Sequence, residues 1–220
     1  QQRLIIEELA THQLSLLKTK KARKSKTTNK FKIKTNLHNN LLISLNFDLT
    51  EAQSRCIREI HEDLSNTEPM LRLLQGDVGS GKTIVAVFSL IQAVENDFQT
   101  AVMAPTEILA RQHLQNFTEY LNPLSIQIAF LSGSQNTQER REQLELIESG
   151  KAKVIIGTHA LFQESVNFKN LSLVIIDEQH KFGVHQRLSL SQKANKTPHQ
   201  LIMTATPIPR SLTMSAYADL

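Results

Sequence analysis

The sequence predicts an α/β fold: a mostly parallel sheet with helices covering both faces. Six short apolar runs alternate with helical patterns along most of the chain. The gaps between runs are long enough for the crossover helices that parallel strands require. The unusual polar stretches GDVGSGKT, APTE, GTHA, DEQH and TATP each follow an apolar run. Binding groups gather in this way at the carboxyl ends of parallel strands.

The predicted strands are MLRLLQ (70–75), TAVMAP (100–105), SIQIAFL (125–131), AKVIIGT (152–158), LSLVIIDE (171–178) and QLIMTAT (200–206). Each is a run rich in aliphatic and β-branched residues, as expected of a strand buried on both faces. Helical patterns fill 82–95, 106–121, 136–149 and 184–191. A further helix runs from Glu51 to about Leu64, with Thr50 as its N-cap.

The amino-terminal part differs. Residues 1–45 hold ten Lys and Arg against Glu7 and Glu8, a net +8; the remaining residues hold 15 basic and 19 acidic side chains, a net −4. Gln2 to Leu17 reads as a helix with Ile5, Leu9, Leu16 and Leu17 on one face. Lys18 to Lys34 is cationic, with only Ala22, Phe31 and Ile33 to bury. Such a stretch is expected to be mobile or partner-bound, because burial cannot offset its ordering entropy. Residues 1–45 therefore read as a connector, and the compact domain is expected to start near Phe47. A basic segment on a mildly acidic body suits an anionic partner, nucleic acid first, or serves only as a solvated linker.

The chain of 220 residues begins at Gln1 and ends at Leu220, and it reads as a piece of a longer protein. No apolar run reaches the roughly 18 residues that span a bilayer, and no signal peptide is visible. The lone Cys56 leaves no disulfide framework, which fits a reducing compartment. Beside Ile57 and Ile60, it reads as packing.

Chemistry concentrates in two stretches. Gly76-Asp77-Val78-Gly79-Ser80-Gly81-Lys82-Thr83 is a P-loop pattern between a strand and a helix. Its glycines let the backbone curl so that N–H groups face phosphate oxygens, and the helix N-terminus adds partial positive charge. Lys82 supplies a full charge to the β and γ phosphates, and the Thr83 hydroxyl can ligate Mg²⁺. LSLVIIDEQH ends a strand on two carboxylates. Asp177 stands where a metal-holding acid is needed; Glu178 can orient or deprotonate the attacking water. Without the P-loop, the pair would pass for helix-capping carboxylates. Gln53, in FDLTEAQ, has an amide that can read both N6 and N7 of adenine. No N/T-K-x-D guanine-reading motif is present, which favours ATP.

In this order LTEAQ, GDVGSGKT, APTEILARQH, GTHAL, DEQH and TATPIPR resemble the superfamily-two helicases, from about Phe47 to Leu220. LQGDVGSGKT, GTHALFQ, VIIDEQHKFGVHQR and the connector RLIIEELATHQLSLL are most similar to the bacterial branch acting on branched DNA. The transcription–repair coupling translocases are the alternative, sharing the GDVG, FG and TATPIPR elements; they usually carry a different residue for Ser80 and an acidic one for Gln179. The resemblance implies the first RecA-like motor lobe of an ATP-dependent DNA helicase, with ATP and Mg²⁺ as cofactors and branched or duplex DNA as partner. It implies a bacterial, cytoplasmic protein that remodels stalled forks and junctions in repair and recombination. It also implies that a second RecA-like lobe and a wedge domain of the same protein lie outside this chain.

Residue by residue, the resemblance gives Thr106, Glu107, Arg111, Thr158 and His159 a DNA-backbone role. Taken alone, Thr106 and Thr158 serve equally as helix caps and Arg111 as surface charge. His180, Thr204 and Thr206 would couple nucleotide state to movement. Lys181 and His185 stand where the family more often has Arg and Glu, and Asn46 replaces a usual Pro before the glutamine motif. The arginines within reach, Arg187 and Arg210, share the P-loop's lobe, so the chain alone is expected to hydrolyse ATP slowly or not at all. The reading from another class is a binding module, with the P-loop as a nucleotide sensor and the basic segment as a docking arm.

Overall fold

The computed structural model describes residues 27–178 and 193–205. The predicted helices at 2–17 and 184–191 lie outside these, as do His180, Thr206 and the residues around them. Among the described residues, no helix is long and apolar enough to cross a membrane.

All six predicted strands form: β1 (Leu71–Gln75), β2 (Gln99–Met103), β3 (Ile128–Leu131), β4 (Val154–Gly157), β5 (Leu171–Asp177) and β6 (His199–Thr204). They make one sheet in the order β1-β6-β5-β2-β4-β3, and every pairing is parallel. The described helices are α1 (Asn36–Ser44), α2 (Glu51–Leu64), α3 (Lys82–Glu95), α4 (Glu107–Leu121) and α5 (Thr137–Glu148).

Alternation along the strands builds two cores. Val102, Leu173, Ile175, Leu201 and Met203 face a layer formed by α1 to α4. Ala101, Met103, Val174, Ile176 and Ile202 face the opposite layer, where Ile147 of α5 packs with Ala160 and Leu161. Helices thus cover both faces, as predicted. α3 is buried continuously from Ile84 to Ala93, which explains why its sequence is apolar all round.

Helix starts follow their caps. Thr50 Oγ1 accepts from Gln53 N at 3.2 Å, and Gln53 Oε1 accepts from Thr50 N at 2.9 Å, a complete capping box. Thr106 Oγ1 accepts from Leu109 N, and Asn136 Oδ1 from Glu139 N.

The packed unit begins earlier than expected. Phe31 is fully buried, stacked on Phe98 at 5.1 Å and edge-on to His199 at 5.0 Å. Its N–H donates to Leu64 O. The Asn96 amide clamps Lys32, accepting from its N–H at 2.8 Å and donating to its carbonyl at 2.9 Å. α1 follows, with Leu41 fully buried and Leu37 and Leu45 packed against the same core. Among the described residues the expected mobility therefore fails from 28 to 34, and the expected start near Phe47 is late. The lysines keep their charges at the surface while backbone hydrogen bonds and one aromatic ring hold the strand of chain beneath them. Buried His199 completes this corner: it accepts from Met70 N at Nδ1 and donates to Asn29 O at Nε2. Burial pushes its pKa below the ordinary imidazole value.

Phe31→Ala is expected to cost about 3–5 kcal/mol, as for other buried Phe truncations. Urea unfolding checks this; a loss under about 1 kcal/mol would contradict the packing of residues 28–45.

Candidate nucleotide-binding and hydrolysis site

Strand order brings the P-loop and the acid pair together. β6 lies between β1 and β5, and Leu74, Met203 and Asp177 are in register across the three strands. Two strand spacings put the ends of β1 and β5 about 10 Å apart. The end of β6 bridges them. Thr204 O accepts from Gly76 N at 3.3 Å, at the start of the P-loop. On its other side, Ala205 N donates to Glu178 Oε1 at 3.0 Å and Thr204 Oγ1 to Glu178 Oε2 at 3.4 Å. Glu178 N donates back to Met203 O at 2.9 Å.

The loop itself has the curl its glycines predict. Gly79 and Gly81 sit at φ 81° and 80°, a region that non-glycine residues enter at a cost of about 1 kcal/mol or more. A Cβ on Gly81 would lie 2.3 Å from Gln53 Nε2. Ser80 N turns back to Asp77 O at 3.1 Å, and Val78 stands out in solvent at 90% exposure. Lys82 Nζ is folded into the loop, donating to Gly76 O at 2.6 Å and Asp77 O at 2.8 Å. Thr83 follows in the first turn of α3.

Gln53 lies against the loop, with its amide engaged on both sides. Oε1 completes the cap at Thr50, and Nε2 donates to Ser80 O at 3.1 Å. Reading both N6 and N7 of an adenine would require these bonds to be exchanged.

Glu178 has φ 50°. This left-handed turn directly after β5 departs from the extended backbone and accompanies the carboxylate's bonds to Thr204 and Ala205. Asp177 has a different partner. His113 Nε2 lies 2.7 Å from Asp177 Oδ2, with both side chains largely buried. Sequence reasoning missed this contact.

The residues with an implied DNA role follow two neighbouring strands: Thr106, Glu107 and Arg111 at the start of α4 after β2, and Thr158 and His159 just after β4. Thr106 caps α4. Glu107 Oε1 accepts from Arg111 Nε and NH2 at 3.0 and 2.7 Å, and from Ser134 Oγ at 2.5 Å. The Ser134 hydroxyl, then the Arg111 guanidinium, hold the Glu107 carboxyl below the usual carboxylate range. Arg111 also lies over the Phe130 ring, 5.2 Å from its centroid. His159 is exposed, whereas Thr158 is only 3% exposed and presents almost no surface.

Beside the P-loop is a cleft of about 430 Å³, within the range of small-molecule sites. Lys82, Thr83 and Gln53 line one side; Phe47, Glu119 and Tyr120 line others. The last two come from the end of α4 and carry no motif. Only the packing of α4 beside α3 brings them here.

A parallel sheet with a P-loop at the end of one strand, and an acid pair one strand beyond its neighbour, defines a P-loop nucleotide-binding lobe. The chain belongs to the DEAD/DEAH box helicase family, whose family model matches residues 50–215. Among individual proteins, it is 51% identical over its whole length to the ATP-dependent DNA helicase RecG of Escherichia coli K12, and 50% identical to that of Haemophilus influenzae. The chain spans about a third of the length of these relatives, 32% in each case. A solved structure of RecG bound to a three-way DNA junction matches all of the chain with a TM-score of 0.85 at 44% identity, over 29% of its own length. The DUF1998 helicase MrfA shares the fold, with a TM-score of 0.64 at 18% identity, over 83% of the chain and 31% of its own.

Proposed function

We propose that this chain is the ATP-binding lobe of a DNA helicase or translocase that couples ATP hydrolysis to branch migration at stalled forks and junctions. The alignment of Leu74, Met203 and Asp177 supports it most, because it sets a phosphate cradle and two carboxylates around one strand end. The relatives' name and the junction bound in the similar structure point to branched DNA as the partner.

Gly76 to Thr83 would hold the triphosphate. The loop fits it chemically: Lys82 already donates to two carbonyl oxygens, and phosphate oxygens are acceptors of higher charge that exchange for them. Thr83 and Asp177 would hold Mg²⁺, which binds through few protein oxygens together with substrate phosphates. Bound there, Mg²⁺ would supply charge neutralisation to the transferring phosphoryl group. Glu178, held by Ala205 and Thr204, would orient the attacking water. Gln53 would face the adenine.

Thr106, Glu107, Arg111 and His159 would meet the DNA backbone, where hydroxyls, helix N-termini and Arg bind phosphate without reading sequence. Thr158 stays beneath that surface. Thr204, bonded to both P-loop and Glu178, would couple nucleotide state to movement together with His180 and Thr206. Residues 1–45 would lead from an upstream wedge domain, and a second RecA-like lobe would close over ATP in a bacterial cytoplasmic protein.

That second lobe would bring an arginine worth about 10³–10⁵ in rate. Turnover of the full-length protein with branched DNA is therefore expected to exceed that of the 220-residue chain by about 10³-fold or more. Equal ATPase from the two would remove the second-lobe requirement.

A further inference from the structure

We propose that His113 is a positioning residue for Asp177, fixing the carboxylate that the proposed site uses for Mg²⁺. The inference rests on that reading of Asp177. His113 lies in the second turn of α4, in a stretch resembling a DNA-contact motif, and no nucleotide role followed from its sequence. The fold nevertheless carries its ring 64 positions along the chain to the end of β5, where Nε2 meets Asp177 Oδ2 at 2.7 Å.

The chemistry of the pair is one-sided. An ionised carboxylate only accepts, so the ring nitrogen must donate. With one carboxylate oxygen tied down, the side chain loses rotation about its terminal bond, and the other oxygen remains for a metal's water shell. The two side chains are 11% and 14% exposed, so little water competes for this bond. The ring is itself fixed: it packs on Phe117, with centroids 5.9 Å apart. Its Nδ1 is buried and without a hydrogen-bond partner among the described residues, so Asp177 is the polar contact that orients it there.

The alternative is a histidine that merely fills space under β5. Two substitutions separate these roles. His113→Phe keeps a planar ring and removes the donor; His113→Gln loses the ring but keeps an N–H donor at similar reach. In the full-length protein, binding of fluorescent ADP is titrated against Mg²⁺, alongside thermal unfolding. Loss of such a supporting hydrogen bond costs about 10–100-fold in metal affinity. H113F is therefore expected to raise the half-saturating Mg²⁺ concentration about tenfold or more. H113Q should remain within about threefold of wild type, and Mg²⁺-free ADP binding should be equal in all three. Asp177→Asn serves as the control. If D177N shifts the Mg²⁺ midpoint and H113F does not, the positioning role is overturned. A midpoint unmoved by D177N would instead overturn the metal role of Asp177. Should H113F fail to fold, His113→Met makes the same donor-free comparison with a flexible apolar side chain.

Discussion

Replacing Glu178 by Gln in the full-length protein is expected to lower DNA-stimulated ATP turnover by about 10²–10⁴-fold, the usual contribution of a positioned general base. ATP affinity should stay within about threefold. The amide has the carboxylate's shape, and its oxygen can still accept from Ala205 N, which now bonds Glu178 Oε1 at 3.0 Å. The left-handed turn at φ 50° belongs to the backbone and should survive the change. Thermal unfolding is therefore expected to move little, separating lost chemistry from lost structure. Steady-state ATPase with equilibrium nucleotide binding checks both halves. Turnover within about threefold of wild type would favour the sensor reading, in which nucleotide is bound but not consumed.

Replacing Lys82 by Ala should act earlier, on binding as well as turnover. Lys82 Nζ holds the Gly76 and Asp77 carbonyls, and in the proposed site it carries the loop's full positive charge. Its loss is expected to reduce turnover by about 10²–10³-fold, as for other groups aimed at developing charge. ATP binding should weaken in the same variant, unlike in Glu178→Gln. Lys82→Arg should not restore it, because a planar fork cannot reproduce a compact ammonium inside so tight a curl. Isothermal titration with ATP, beside the ATPase assay, gives the comparison. Unchanged affinity in Lys82→Ala would place the triphosphate elsewhere.

Much of the fold was legible because burial on both faces writes strands as plain apolar runs. LSLVIID and QLIMT are such runs, and both pair as parallel strands within a residue or two of their predicted limits. The caps at Thr50 and Thr106 were local signals that the structure keeps. Strand order was not legible. Nothing in QLIMTAT says that it lies between β1 and β5, yet that insertion defines the site.

The part of the amino-terminal segment from 28 to 45 was misjudged for a physical reason. The eight lysines of residues 1–45 dominate composition, whereas the attachment of residues 28–45 depends on one Phe ring, main-chain bonds and a Leu37–Leu41–Leu45 stripe at helical spacing. His113 was hidden for a different reason. Its partner is distant in sequence, and a histidine within a helical stripe reads as ordinary core. Gln53 shows a third limit: its motif was visible, but the capping bond and the bond to Ser80 O that occupy its amide appear only in three dimensions.

In the proposed site, one metal-bound polyphosphate would lie between the P-loop after β1 and the acid pair at the end of β5. A crystal structure of the full-length protein with Mn²⁺ and a non-hydrolysable ATP analogue tests it most directly, through the anomalous signal of the metal. One Mn²⁺ peak is expected beside Thr83 Oγ1 and the phosphates, linked to Asp177 directly or through water, with Lys82 moved from the loop carbonyls to the phosphates. A triphosphate bound away from Gly76–Thr83, or a metal with no direct or water-mediated link to Asp177, would contradict it.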